Sequence, residues 1–220
     1  MDDKYILRHV DHTLLKSTAI WPEIDVLCKE AIHYETATVC IPPCYVKRVK
    51  TAFPDLKICT TVGFPLGYDT TATKALAVQA AFGDGADEID MVINMTDVKN
   101  KFFEQIRSEI NILKHIVNTK ILKVIIETCY LTDEEKIILC EIVTDARADY
   151  IKTSTGFGSA GATLADIELF KANIGPGIKM KAAGGIRTRE DMIAFLEAGC
   201  ERIGTSSAIK VLTGNEAGEY

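Results

Sequence analysis

Two lysines lie where the catalytic groups of a parallel α/β barrel would be expected. Lys152 belongs to the segment Asp149–Gly156, and Lys181 belongs to the segment Lys179–Gly185. Each lysine is near the end of a short apolar run typical of a β-strand, and a glycine-rich turn follows. Lysine is depleted in strands and is rarely buried without a partner. A neutral amine attacks carbonyl carbons, and a second cation nearby favours the neutral form, so the pair indicates Schiff-base chemistry.

A carboxylate on an earlier strand completes this set. Asp90 lies in the run Glu88–Ile93, whose alternate apolar residues would face the helices, so Asp90 would face the barrel lumen. We interpret Lys152 as the imine-forming amine and Lys181 as the cation that makes it easier to deprotonate. Asp90 would anchor Lys181 and move protons through a water. The alternative is a structural salt-bridge cluster that fills the lumen.

The same alternation places three further side chains in the lumen. Lys123 is expected to be structural and to pair with Glu127 or Asp90. Lys179 has the same parity as Lys181 but lies farther from the carboxyl end of the strand. Cys40 is expected to line the lumen as a small apolar group, because a catalytic thiol would need a base beside it and the sequence shows none.

Two glycine-rich turns follow the last two predicted strands. Such turns expose backbone amides, and a helix that begins there adds the positive end of its dipole. Barrels often bind phosphate between their last two βα loops, whereas the alternative is a pair of ordinary glycine turns. The candidate phosphate ligands are Gly184, Gly185, Arg187, Gly204, Ser206 and Ser207.

Two other sequence patterns are weaker evidence for a functional site. Gly156–Gly161 matches the glycine spacing of a dinucleotide-binding turn, but no acidic residue ends the next predicted strand, so we reject that function. His9 and His12 have no third ligand nearby, so we expect them to be structural and expect no metal site.

Strand and helix patterns alternate along the whole chain. Helical patterns include 71–83, 102–117, 132–146, 164–172 and 189–198, and they separate eight β-type runs. Alternation of this kind predicts βα units with a parallel sheet, and eight units favour a closed (β/α)₈ TIM barrel over an open doubly wound sheet. We expect a single domain over 1–220. The strand runs are 10–11, 37–41, 57–62, 88–93, 122–127, 150–153, 178–182 and 202–204.

Composition excludes several classes of protein. The net charge of −6 argues against a nucleic-acid partner, and no apolar run approaches the length of a membrane span. Seven scattered cysteines without a C-x-x-C pair suit reduced thiols in the cytoplasm, and the N-terminus shows no signal segment. The polar end of the chain is expected to be a flexible tail from about residue 213 that ends in Tyr220.

Seven sequence pieces together resemble the deoxyribose-phosphate aldolase family, which belongs to the class I aldolases. They occur in family order over nearly the whole chain, and the set is far more specific than any one piece. The pieces are Asp11–Leu15, Val39–Pro42, Val62–Gly67, Gly85–Val92, Lys123–Thr128, Ile151–Gly156 and Lys181–Arg187.

The resemblance implies a TIM barrel without a metal or organic cofactor. The reaction would be the reversible cleavage of 2-deoxy-D-ribose 5-phosphate to D-glyceraldehyde 3-phosphate and acetaldehyde. It also makes Lys152 the Schiff-base lysine, Lys181 its perturbing partner and proton relay, and Asp90 the proton donor and acceptor. Asp11 would support the charge network. The partners would be the phosphorylated sugar and acetaldehyde, with a homodimer as the assembly.

Two positions near the substrate need separate mention. Gly156 would join the phosphate ligands, but some family members carry a lysine just after the matching glycine, where this chain has Phe157. Some members also end in tyrosine, so Tyr220 is predicted to fold over the barrel mouth and exchange a proton with the enamine carbon.

Two other functions stay open from the residues alone. A metal-free isomerase or epimerase acting on a sugar phosphate would use Asp90 as a base and need no imine. A non-catalytic barrel that binds phosphometabolites would keep the glycine loops while its lysines only balanced charge.

Overall fold

The computed structural model describes residues 1–214. Its strands are β1 (Val10–Thr13), β2 (Thr38–Ile41), β3 (Ile58–Val62), β4 (Glu88–Val92), β5 (Ile121–Ile125), β6 (Tyr150–Lys152), β7 (Lys179–Ala183) and β8 (Arg202–Thr205). Each strand pairs in parallel with the next, and β8 pairs with β1, so the sheet closes into a barrel. The predicted (β/α)₈ barrel is confirmed, and the open doubly wound alternative is wrong.

A short helix precedes β1, and helices follow every strand and surround the barrel. The described helices are α1 (Asp3–Leu7), α2 (Trp21–His33), α3 (Val46–Ala52), α4 (Thr71–Gly83), α5 (Met95–Lys99), α6 (Phe103–Val117), α7 (Asp133–Asp145), α8 (Leu164–Asn173), α9 (Arg189–Ala198) and α10 (Ala208–Thr213). The predicted bounds of α4 and α9 are confirmed, and those of α6, α7 and α8 differ by one residue at one end or both. None of these helices is long and apolar enough to cross a membrane.

Local signals explain where two of these helices begin and end. The Thr132 hydroxyl accepts a hydrogen bond from the Glu135 amide, and the Glu135 carboxylate accepts one from the Thr132 amide, which closes a capping box at the start of α7. Thr188 and Asp191 form the same box at the start of α9. Gly199 ends α9 with a φ of 112°, a conformation that glycine adopts most easily.

The apolar core lies between the barrel wall and the helices, whereas the lumen is polar. Ile89 and Met91 of β4 are fully buried within the apolar core, as their parity predicted. Asp90 lies between them in sequence and faces the lumen, where it meets side chains from other strands. Period-two alternation therefore separates the packing residues of β4 from its chemical residue.

The flexible C-terminal tail predicted from the sequence can be compared with the structure only up to residue 214. Helix α10 continues to Thr213, so the tail predicted from about residue 213 overlaps the end of a helix. Residues 215–220, including Tyr220, lie outside the described residues.

Candidate active site

The barrel register brings the two predicted lysines together. Lys152 of β6 is the direct partner of Lys181 on β7. The Nζ atoms of Lys152 and Lys181 lie 2.7 Å and 2.8 Å from the same carboxylate oxygen, Oδ2 of Asp90. The side chain of Lys152 is 3% exposed, and those of Lys181 and Asp90 are fully buried. The three residues singled out in the sequence therefore form one contact cluster.

Asp90 is the centre of this cluster. Its second oxygen, Oδ1, accepts a hydrogen bond from Lys123 Nζ at 2.9 Å and one from the Cys59 thiol at 3.2 Å. Burial alone would raise the pKa of Asp90, but the ammonium groups of Lys123, Lys152 and Lys181 outweigh it and hold that pKa well below its usual value. Asp90 is thus held as a carboxylate.

A second layer of charges lies behind these groups. Asp11 pairs with Lys181, and its other oxygen accepts hydrogen bonds from Thr38 at 2.9 Å and Arg202 at 2.6 Å. Burial opposes the charge of Asp11, but these cations, Lys181 foremost, lower its pKa. Asp11 thus lies within the charge network, in contact with Lys181 and Arg202. Sequence reasoning missed Arg202, which sits among carboxylates at the start of β8.

Glu88 connects the second layer to Lys123. Its carboxylate forms a bidentate pair with Arg202, with both contacts at 2.9 Å, and contacts Lys123 Nζ at 2.6 Å. The expected alternative pairing of Lys123 with Glu127 is wrong, and its pairing with Asp90 is confirmed. Glu88 precedes Asp90 by two positions on β4 and therefore faces the same side of the strand. The alternation pattern could thus have identified Glu88 as a lumen residue.

Charge counting distinguishes Lys152 from the other basic groups. Among residues 1–214 the cluster holds four basic side chains and three carboxylates, so it is neutral when one base is neutral. Lys152 has one ion-pair partner, whereas each other base has at least two. Lys152 is therefore the base with the fewest charge contacts in the cluster. The members are Lys123, Lys152, Lys181, Arg202, Asp11, Glu88 and Asp90.

Lys152 also lines a cavity at the carboxyl ends of the strands. The cavity has a volume of about 570 Å³, which is within the usual range for small-molecule sites. All seven predicted phosphate ligands line this cavity: Gly156, Gly184, Gly185, Arg187, Gly204, Ser206 and Ser207. A buried lysine and two anion-suited loops thus share one compartment.

Comparison with known proteins identifies the family. A family model described as DeoC/LacD family aldolase matches residues 5–217. The chain belongs to this aldolase family. Deoxyribose-phosphate aldolase from Clostridium botulinum (strain Eklund 17B / Type B) is 57% identical over 221 residues and covers 100% of both chains. The enzyme of that name from Clostridioides difficile (strain 630) is 52% identical over 218 residues, covering 99% of this chain and 100% of the relative.

A solved structure supports the same relationship. Deoxyribose phosphate aldolase from Aeropyrum pernix, described as a unique tetrameric structure, has a TM-score of 0.88 and 30% identity to this chain. The match covers 97% of this chain and 92% of that one.

One glycine of this DeoC/LacD aldolase is required by a close approach in the site. A Cβ atom at Gly204 would lie 3.0 Å from the Cβ of Ala183 and 3.2 Å from Cε of Lys181. A larger residue would therefore require Ala183 or the stem of Lys181 to shift by a few tenths of an ångström. Gly204 keeps the lysine in position as well as lining the cavity.

Phe157 occupies the rim of the aldolase cavity. The ring is 55% exposed and packs edge-on against Phe64, with the ring centroids 5.3 Å apart. The basic side chains that line this cavity besides Lys152 are Lys16, Arg187 and Lys210, and Lys16 pairs with Glu23 at 2.5 Å. The cavity thus holds cations despite the absence of a lysine at position 157.

Glu127 supports a turn beside Lys152. Its carboxylate accepts a hydrogen bond from the Thr155 amide at 3.2 Å and another from the Thr155 hydroxyl. Burial raises the pKa of Glu127 despite these bonds, and its φ of 51° is unusual for a residue with a side chain. Because Thr155 lines the cavity, Glu127 fixes part of the cavity wall.

Three further residues considered in the sequence, Lys179, His9 and His12, do not line the cavity. Lys179, at the amino end of β7, is exposed and pairs with Glu201 at 2.8 Å, so it does not compete with Lys181 for Asp90. His9 contacts the carbonyl of Tyr5 and His12 contacts Glu30, which gives both histidines structural partners. The prediction for Tyr220 concerns a residue outside those described.

Proposed function

We propose that this chain is a class I aldolase that reversibly cleaves 2-deoxy-D-ribose 5-phosphate to D-glyceraldehyde 3-phosphate and acetaldehyde. The observation that carries the proposal is the position of Lys152. Its amine lies in the cavity wall and is held by one carboxylate, Asp90, which it shares with Lys123 and Lys181. This amine has fewer ion-pair partners than the other basic groups of the cluster, and it faces the cavity.

The chemistry begins with the open-chain aldehyde of the sugar. Neutral Lys152 attacks carbon C1 to give a carbinolamine, which takes up a proton and loses water to form a protonated imine. The proton moves through the pair of Asp90 and Lys181, whose contact is 2.8 Å. Because the imine withdraws electrons from C2, it prepares the bond between C2 and C3 for cleavage.

Cleavage then releases the two products in order. A base near Lys152 takes the proton of the C3 hydroxyl, the bond between C2 and C3 breaks, and its electron pair forms an enamine on Lys152. D-Glyceraldehyde 3-phosphate leaves first. Protonation of the enamine at C2 and hydrolysis of the imine then give acetaldehyde and restore the amine. Asp90 and Lys181 are proposed to carry these protons, and Asp11 is proposed to hold Lys181 in place.

The phosphate of the sugar is proposed to bind in the glycine-rich half of the cavity. Gly184 and Gly185 have φ values of 84° and 76°, so neither position suits a residue with a side chain. Arg187 would add a charge, and Ser206 and Ser207 would donate hydroxyl groups. Gly156 and Gly204 would complete the wall. The cavity volume leaves room for a five-carbon sugar and its phosphate.

Borohydride trapping tests this function directly. The protein is incubated with deoxyribose 5-phosphate, reduced with borohydride and weighed, and the adduct is located by peptide mapping. We expect one adduct per chain at Lys152, and none in Lys152→Met. Lys179→Met is the matched control, because Lys179 is an exposed lysine on the neighbouring strand.

The outcomes separate the competing functions. An adduct at Lys181 would reverse the assignment of the nucleophile. Product formation without any adduct would favour an isomerase or epimerase type of chemistry. Substrate binding without turnover would leave a non-catalytic phosphometabolite barrel.

We also propose that the enzyme is a cytoplasmic homodimer without a nucleic-acid partner. The seven cysteines are free thiols, which suits a reducing compartment. The Aeropyrum pernix relative is described as a tetramer, so association occurs in the family. Light scattering coupled to size-exclusion chromatography would give the mass of the assembly, and a mass of one chain or four would contradict the dimer.

A further inference from the structure

Two thiols lie side by side on the lumen wall. Cys40 of β2 and Cys59 of β3 are direct partners in the parallel register, and both side chains are buried. Adjacent strands are about 4.8 Å apart, and partners in register point to the same face of the sheet. Cys40 was expected to line the lumen as a small apolar group without a base beside it; it does line the lumen, but a second thiol and a carboxylate lie beside it.

The carboxylate is that of Asp90. The ligand atoms of Cys40, Cys59 and Asp90 all lie within 4.8 Å of one another. The Cys59 thiol donates to Asp90 Oδ1 at 3.2 Å and accepts a hydrogen bond from Lys123 Nζ at 3.3 Å. The three groups thus converge on one point of the lumen, and Cys59 contacts the oxygen of Asp90 that Lys152 does not.

We propose that Cys40, Cys59 and Asp90 bind a thiophilic divalent cation such as Zn²⁺ or Cd²⁺. Two sulfurs and one carboxylate oxygen are a donor set that such ions accept. A tetrahedral ion about 2.3 Å from each sulfur would hold the two sulfurs about 3.8 Å apart, which is compatible with the observed spacing. The fourth position of the ion would stay open to the lumen.

The balance of charge in the lumen permits this binding. Each thiol loses its proton when it binds the ion, so one dication replaces two protons and the net charge of the cluster does not change. A hard cation such as Mg²⁺ prefers oxygen ligands and would add its full charge beside three lysines. The site therefore selects soft ions over hard ones.

A second group of possible ligands is less suitable. Asp11, Cys59 and Glu88 also lie within 4.8 Å of one another, but they offer only one sulfur. Arg202 holds both carboxylates through hydrogen bonds of 2.6–2.9 Å. An ion there would have to break a bidentate pair, so the site with two sulfurs is preferred.

Binding at this site would inhibit the aldolase. The ion would take Asp90 Oδ1 from Lys123 and weaken the hold of Asp90 on Lys152 and Lys181. It would enter through the cavity, because Lys152 lies both in the cavity wall and against Asp90. This consequence rests on the proposed function, whereas the binding itself does not.

Cadmium titration tests the binding without reference to activity. The full chain, kept reduced with a phosphine, is titrated with Cd²⁺ while the ultraviolet thiolate-to-cadmium charge-transfer band is recorded. We expect saturation at one ion per chain. Cys59→Ser keeps a hydroxyl that can donate to Asp90 but removes a sulfur, and we expect it to raise the Kd at least about tenfold. Cys44→Ser, at an exposed thiol, is the matched control and should match the wild type.

Activity provides the second measurement. Zn²⁺ should lower the rate of deoxyribose 5-phosphate cleavage, a chelator should restore it, and Mg²⁺ should have no effect. Wild-type Cd²⁺ affinity in Cys59→Ser, or loss of the band in Cys44→Ser, would overturn the site. Inhibition by Zn²⁺ in a protein that shows no thiolate-to-cadmium band with Cd²⁺ would also overturn the proposed site. Normal Cd²⁺ binding in a protein without aldolase activity would contradict the proposed function and leave the site in place.

Discussion

Replacing Lys181 with methionine should shift the acidic limb of the activity profile to higher pH. The Nζ atoms of Lys152 and Lys181 lie 2.7 and 2.8 Å from one oxygen, so they are no more than about 5.5 Å apart. At an effective dielectric constant of about 20, two unit charges at that separation repel each other by about 3 kcal/mol. This energy corresponds to about two pH units. Lys181→Met removes the repulsion that favours neutral Lys152.

The loss of Lys181 acts in the same direction through Asp90. The carboxylate would keep Lys123 and Lys152 as partners but lose one of its three cations. It would then hold protonated Lys152 more strongly. Both effects require a higher pH before the amine becomes neutral, so the midpoint of the acidic limb should rise by about two pH units.

The assay is the pH dependence of kcat/KM for cleavage of deoxyribose 5-phosphate, which reports the free enzyme. Borohydride trapping at Lys152 over the same pH range is a second measurement, and circular dichroism checks that the variant folds. Lys179→Met is the control, because Lys179 lies on the same strand but is exposed and pairs with Glu201. A folded Lys181→Met variant with the wild-type profile and wild-type kcat would refute the reasoning.

Two further predictions concern the rim of the cavity and the chain terminus. Phe157→Lys should lower KM for deoxyribose 5-phosphate about tenfold but hardly change KM for deoxyribose, because a cation beside the phosphate adds a charge-assisted contact. Equal changes for both substrates would place position 157 away from the phosphate. Tyr220→Phe should slow turnover and solvent exchange of the acetaldehyde methyl protons by about 10²-fold, while trapping at Lys152 persists. Wild-type values of both rates would exclude a chemical role for Tyr220.

The sequence by itself determined the architecture and the central chemistry. Alternating strand and helix patterns predicted the barrel, because a parallel strand needs a crossover before its neighbour. Alternation within β4 turned Asp90 to the lumen and its apolar neighbours to the helices. Both properties depend on residues that are close together in the sequence, so they can be predicted from the sequence alone.

The glycine loops were also evident from sequence. They follow β7 and β8 directly, and the carboxyl ends of parallel strands meet at one end of a barrel. Their common position around one cavity with Lys152 therefore followed once the barrel was assumed. Phe157 could be identified as a departure from the family pattern, but its packing against Phe64 could not.

Only the tertiary structure decided the partners within the lumen. Arg202 and Asp11 are 191 residues apart and yet share a hydrogen bond of 2.6 Å. Lys123 contacts Glu88 and Asp90 instead of Glu127, and Cys40 meets Cys59. Parity states which face a side chain takes, but the closure and stagger of the barrel set how deep it lies and which strands it reaches. Those depend on all eight pairings together, which no local pattern encodes.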